Sequence, residues 1–366
     1  MKVWKVLSVL SLVLVLASSG YGAGRKTPDK KKILVVDSYH REYSWSQETN
    51  KGFCAAMLKY RYFENLQRGA EYTKNDYVET SKVIVKKIWM DTKRKKSKAQ
   101  KEEVSVQIYK TANEFQPDLI FLGDDNAARY IGGKFLDTKM PIIFWGVNNT
   151  PVKYGLVDSI KRPGHNVTGV YQSGYYAESL RLLKVIVPGV QTIAVLSDNT
   201  PTGRSHYKAI EYLARKGVLP VTLVETVATD SYEEWKRRAL ELQKSVDAFF
   251  VAHYAGFKDS SGKYVPGREV AAWYRAHIRI PEAVELRHFV NQGMLCGADD
   301  SAYNQGYEAV VIAHDILTKG ANPATYPPRA PKRGALMVNT QRAKDLGIVL
   351  TKKMGIEEYI ETNGQR

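Results

Sequence analysis

Asp37, Ser38, Tyr39, His40, Tyr43 and Trp45 gather hydrogen-bonding and aromatic side chains into one short stretch of the sequence. Tyr39, His40, Tyr43 and Trp45 put four rings into seven residues. Rings so placed can clasp a flat or apolar group with wide contact and little loss of rotamer entropy. Other chemistries lack a comparable grouping. The seven histidines, at positions 40, 165, 206, 253, 277, 288 and 314, show no H-E-x-x-H or other paired spacing, and C-x-x-C, G-x-S-x-G and P-loop motifs are missing from the sequence. His40 and His253 occupy the loop positions that could touch a ligand. The carboxylate pairs Asp124–Asp125 and Asp299–Asp300 read better as helix-start residues, one member capping while the other faces a cleft or solvent, than as catalytic pairs. The pattern describes a binding protein rather than an enzyme, with no cofactor and no metal site.

The scaffold for these side chains is an alternation of strands and helices. Residues 33–36 form a continuous apolar, β-branched run of the kind buried on both faces of a parallel sheet. Ser44 and Gln47 have the spacing of a capping box, and Phe53, Ala56, Met57 and Tyr60 repeat as one buried helical stripe. The aromatic loop therefore falls at the carboxyl end of a strand, where open α/β sheets bind ligands. After a polar, tyrosine-rich stretch to Thr80, the runs VIVKKIWMD, PDLIFLGDDN and MPIIFWGVNN predict three further strands, with a polar-faced helix over residues 92–115. Residues 150–164 read as a Pro- and Gly-bearing linker. A second series follows, with strands predicted over 166–171, 192–196, 218–227 and 248–253, helices over 177–187, 231–244 and 268–278, and Pro201 at the first position of a further helix. Residues 258–267 interrupt it as a polar surface excursion.

Composition bounds the setting. Residues 1–24 carry Lys2 and Lys5, an apolar core over 6–17 and a small-residue exit, the pattern of a secretory signal peptide without a lipid-anchoring cysteine. A free periplasmic chain is expected. Cys54 and Cys296 read as two small buried hydrophobes rather than a bridge. The net charge of +16 is concentrated at residues 25–32 and 93–101, without the interleaved aromatics of a single-strand platform. It predicts a basic surface and no nucleic-acid partner.

The order of the segments is more specific than any one of them. The aromatic loop with Gly52 and Phe53, then Met90 to Arg94, PDLIFLGDDNAARY, MPIIFWGVNN, NVTGVYQ, TIAVLSDN, the long run from IPEAVELRHF to AHDIL, GANPATYPP and VNTQRAKDLGI resemble the ABC-transporter substrate-binding proteins of type I periplasmic architecture, a family that includes tryptophan and tyrosine binders. The resemblance implies two doubly wound α/β lobes, a Venus-flytrap, joined by a hinge crossed three times. The first lobe would take residues 33–150 and 300–332 and the second 165–298 and 335–350, with crossings near 150–164, 298–302 and 333–337. Residues 65–80 are longer than the link usual in the family. Ligand contacts are expected from Ser38, Tyr39, Tyr43, Trp45, Asp125, Asn126 and Asn148 in the first lobe. Tyr171, Gln172, Asp198, Asn199 and Tyr254 would face them from the second, with Asp300 at the hinge. The implied function is capture of a small molecule, an amino acid or related zwitterion with an aromatic side chain, by a monomer that delivers it to an ABC permease. The alternative is a sensor that presents its closed form to a membrane histidine kinase or chemoreceptor.

Overall fold

A computed structural model describes residues 30–148 and 151–361, so the expected leader over 1–24 lies outside the described residues. The first lobe begins with β1 (Lys31–Asp37), α1 (Ser44–Lys59), α2 (Leu66–Asn75), β2 (Tyr77–Glu79) and β3 (Val83–Trp89). It continues with α3 (Lys98–Phe115), β4 (Leu119–Gly123), α4 (Asp124–Ile131), β5 (Ile142–Val147) and β6 (Val167–Tyr171). Its sheet has the order β2-β3-β1-β4-β5-β6, parallel except for the antiparallel edge strand β2. Ile33 to Val36 and Leu119 to Leu122 are buried throughout because central parallel strands carry helices on both faces.

The second lobe holds α5 (Tyr176–Ile186), β7 (Thr192–Ser197), α6 (Pro201–Arg215), β8 (Thr222–Ala228), α7 (Tyr232–Leu242) and β9 (Ala248–His253). Then come α8 (Gly267–His277), β10 (Glu282–Val284), α9 (Arg287–Asn291) and β11 (Cys296–Ala298). The chain returns to the first lobe as α10 (Ala302–Lys319) and closes with β12 (Leu336–Asn339), α11 (Thr340–Asp345) and β13 (Glu358–Ile360). The second sheet has the order β13-β12-β11-β10-β9-β7-β8, and only the β11–β12 pairing is antiparallel. Among the described residues no helix is long and apolar enough to cross a membrane.

Several local expectations change. Ser44 and Gln47 form no capping box: Tyr43 is the N-cap, without a side-chain bond, and Ser44 is already helical. The long basic helix starts at Lys98 rather than at residue 92, because Ser97 and Gln100 form a capping box there. The long 65–80 link is α2, capped by Asn65, plus β2. Residues 166–171 do not open the second lobe: β6 pairs with β5 in the first sheet. The passage between lobes is therefore residues 172–175 rather than 150–164. Residues 299–301 and 330–335 make the other two passages. The three are tied together, with Gly174 N–H donating to Asp300 Oδ2 at 3.3 Å, Gly334 N–H to the Asp299 carbonyl at 2.8 Å and the Tyr175 hydroxyl to the Pro331 carbonyl at 2.6 Å.

α10 lies directly on α1. A Cβ on Gly52 would stand 1.9 Å from the Tyr303 carbonyl oxygen and one on Gly306 2.1 Å from that of Thr49, so the helices meet backbone to backbone. This contact fixes the start of α1, and with it the aromatic loop. Cys54 on α1 and Cys296 on β11 are free thiols in different lobes.

Candidate functional site

In each sheet the strand order reverses where the next connection leaves on the other side, and loops at the carboxyl ends of such strands leave a crevice between them. In the first sheet that point lies between β1 and β4, and in the second between β7 and β9. The two crevices face each other. Tyr39, Tyr43, Trp45, Lys93, Asp124 and Asn148 of the first lobe, with Gln172 of the hinge, enclose a cavity with Thr202, His206, His253, Leu286 and His288 of the second. Its volume is about 20 Å³, room for about one water molecule. Trp45, Leu286 and His288 also line an adjoining hinge-side cavity of about 310 Å³, which reaches Glu48, Asp299, Asp300 and Tyr303.

The first-lobe wall is aromatic and acidic. Tyr39 and Tyr43 pack edge to face, ring centres 4.9 Å apart, and Tyr39 and Trp45 belong to the same apolar cluster as Leu286 and Phe289 across the cleft. Asp124, at the β4–α4 junction, is 1% exposed and adopts φ +67°, a left-handed conformation that costs a non-glycine residue energy and concentrates at functional sites. Its Oδ1 accepts from Trp45 Nε1–H at 2.8 Å. Its Oδ2 is buried without a hydrogen-bond partner among the described residues. Burial first, and the nearby Asp37 and Asp125 charges second, push the Asp124 carboxyl well above the ordinary carboxylate range. Gly146 permits this arrangement: it has φ +67°, and a Cβ there would lie 2.5 Å from Asp124 Oδ1.

The second-lobe wall is built from imidazoles and a helix start. Asp198 Oδ2 lies 2.7 Å from His253 Nδ1, and its Oδ1 accepts from the Thr200 hydroxyl at 2.6 Å. Burial alone would raise the Asp198 pKa, but His253 and the Thr200 donors outweigh it and hold the carboxyl at about 2. His206 pairs with buried Glu285 and lies 2.9 Å from the Tyr176 hydroxyl. Burial, then the neighbouring His253 and Lys93 charges, lower the His288 pKa to about 3, so this ring is neutral. Thr200 caps α6 through Gly203 N–H, and Pro201 occupies the first helical position.

Of the residues expected from sequence, Tyr39, Tyr43, Trp45, Asn148 and Gln172 line the cavity. Asp300 lines the adjoining one, where burial, then Glu285, raise its pKa to about 7. The others are placed differently. Ser38 Oγ bridges the Gly123 carbonyl and Ala127 N–H inside the lobe. Asp125 accepts from Asn148 and from the Tyr154 hydroxyl, and Asn126 donates to Thr92. Tyr171 packs on the first-lobe core. Asp198 sits one layer beneath the wall, holding His253, and Asn199 accepts from the Tyr207 hydroxyl. Tyr254 is core: it is 1% exposed, packs on Phe289 and donates to Gln292. Lys93, Asp124, Thr202, His206, Leu286 and His288 were not expected. Neither member of the Asp124–Asp125 pair caps α4, whose N-cap is Gly123 without a side-chain bond; Asp124 is the member that lines the cavity, and Asp125 bonds Asn148 and Tyr154.

A family model described as ABC transporter substrate binding protein matches residues 83–358. No curated protein matches the sequence. Among solved structures, an ABC domain in complex with L-Trp from Streptococcus pneumoniae is similar at 20% identity and a TM-score of 0.66, covering 90% of this chain and 100% of that one. A ligand-free, open substrate-binding protein with adhesive properties from Clostridium difficile is similar at 19% identity and a TM-score of 0.67, covering 91% and 100%. A conserved domain protein from Vibrio cholerae follows at 18% identity and 0.63, covering 90% and 99%. At these identities the likenesses establish the type I periplasmic binding protein fold. The family model spans most of the sequence, and the chain belongs to the ABC transporter substrate-binding protein family.

Proposed function

We propose that this chain is an extracytoplasmic solute receptor that closes its lobes on an amino acid-like zwitterion with an aromatic side chain and delivers it, as a monomer, to an ABC permease. The observation that carries the reading is the free Oδ2 of Asp124, buried in a wall made of Tyr39, Tyr43 and Trp45. A buried carboxyl oxygen without a partner is costly unless something supplies one, and a ligand ammonium both donates to it and, by its opposite charge, favours the ionised form that burial and the neighbouring carboxylates oppose. The rings beside it favour a flat apolar group. That group would run past Trp45, Leu286 and His288 toward the 310 Å³ hinge-side cavity, whose size is in the ligand-pocket range. A protein of the same fold was solved with L-Trp, which agrees with this chemistry. Because the central cavity holds about one water, ligand entry requires the lobes to part at residues 172–175, 299–301 and 330–335. Mass spectrometry of the small molecule released by denaturing the purified protein tests the proposal. An aromatic amino acid or close relative is expected; a sugar or an inorganic anion in its place would overturn it.

A further inference from the structure

Lys93 stands in the cleft wall, outside every set of residues so far given a role. Its ammonium lies 4.5 Å from the Tyr39 ring centre and 4.7 Å from that of Tyr43, a cation held by two ring faces. Among the described residues it makes no ion pair, although the sequence around it, Asp91 to Arg94, is rich in charge. The acids of the opposite wall are committed elsewhere, Asp198 to His253 and Glu285 to His206. What faces Lys93 inside the cavity is a set of imidazoles and Thr202 in the first turn of α6. Its charge is felt at His288 of the second lobe, where it helps hold the ring neutral, and at Asp124, where it favours the ionised form. Among the described residues the one carboxylate that lines the cavity is Asp124, on the same wall as Lys93, so a cation beside it and a helix start facing it across the slot are complementary to a ligand that carries an anionic group beside its ammonium.

We infer that Lys93 is the specificity-determining residue that reads the carboxylate of the ligand, so that the cleft accepts an amino acid and discriminates against the corresponding amine. The inference rests on the proposed zwitterionic ligand and adds the division of labour: Asp124 takes the ammonium, and Lys93, poised on the Tyr39 and Tyr43 rings, takes the carboxylate. Arginine would keep this role, whereas methionine keeps the length of the stem and loses the charge.

The test is calorimetric titration of the full mature protein and of its Lys93→Met and Lys93→Arg variants with L-tryptophan and with tryptamine, the same ring and amine without the carboxylate. Wild type is expected to prefer L-tryptophan by tenfold or more. Lys93→Met should lose tenfold or more for L-tryptophan while tryptamine changes by less than threefold, and Lys93→Arg should restore most of the preference. Equal weakening of both probes by Lys93→Met would make Lys93 a wall-packing residue and overturn the inference, as would no weakening of L-tryptophan. A wild-type protein that binds neither probe would overturn the zwitterion reading itself, and this inference with it.

Discussion

Asp124 is the residue on which the site turns. A strained, fully buried carboxyl with one oxygen bonded to Trp45 and the other without a partner among the described residues lowers the stability of the ligand-free protein. Replacing it with Asn should therefore weaken L-tryptophan binding by about 1.5–3 kcal/mol, the range for a hydrogen bond to a charged group, while raising the melting temperature without ligand. Calorimetry and thermal melting on one preparation check both signs; a variant that binds as wild type does would remove Asp124 from the site. The aromatic part of this site was legible in the sequence because ring density in a strand-end loop has few structural uses. Asp125 was preferred to Asp124 because sequence spacing gives no backbone dihedral, and φ +67° is what turns Asp124 inward. Lys93, His206 and His288 were illegible for a different reason. They reach the cleft through tertiary placement alone, from segments whose local pattern is that of a solvated turn, a helix face and a helix start.

At the scale of elements, strand–helix alternation was readable wherever apolar runs were continuous, as in residues 33–36 and 248–253. Assignment of β6 to a lobe was not, because a parallel strand carries no mark of the sheet it joins, and a Pro- and Gly-bearing stretch precedes it that mimics a hinge. The packing of α10 on α1 depends on Gly52 and Gly306. Gly306→Ala should destabilise the fold by about 1–3 kcal/mol, the usual cost of overpacking, and should weaken ligand binding because α1 carries Trp45. Denaturant melts would show it, and an unchanged midpoint would mean the helices separate freely. The hinge makes a pH prediction. Asp300 is raised from 3.8 to about 7 by burial and then Glu285. Between those values the folded state holds a proton the unfolded state has lost, so this group's contribution to stability falls as pH rises from about 4 to 7 and is level above. Each unit of that elevation weighs about 1.4 kcal/mol. Asp300→Asn, which can still accept from Gly174 N–H, should raise the melting temperature at pH 8 and leave it nearly unchanged at pH 4. Equal shifts at both pH values would contradict the assignment.

The whole molecule is two sheets whose carboxyl-end loops meet across a slot, with three bonded passages as the only covalent links between the lobes among the described residues. The segment 258–267, expected to be a polar excursion on the surface, extends this contact: Lys96 of the first lobe lies over the Tyr264 ring at 5.3 Å. Contacts of this kind are individually worth about 0.5–1 kcal/mol when exposed, weak enough to be made and broken as a hinge bends. Closure of this slot on a zwitterion bearing an aromatic group is the proposed function. A thermal-shift panel on the purified protein tests it most directly, with aromatic amino acids, aliphatic amino acids, sugars and inorganic anions at equal concentration. The largest rise in melting temperature is expected with L-tryptophan or L-tyrosine, a smaller one with aliphatic amino acids and none with sugars or anions. A rise with a sugar or an anion and none with any amino acid would contradict it.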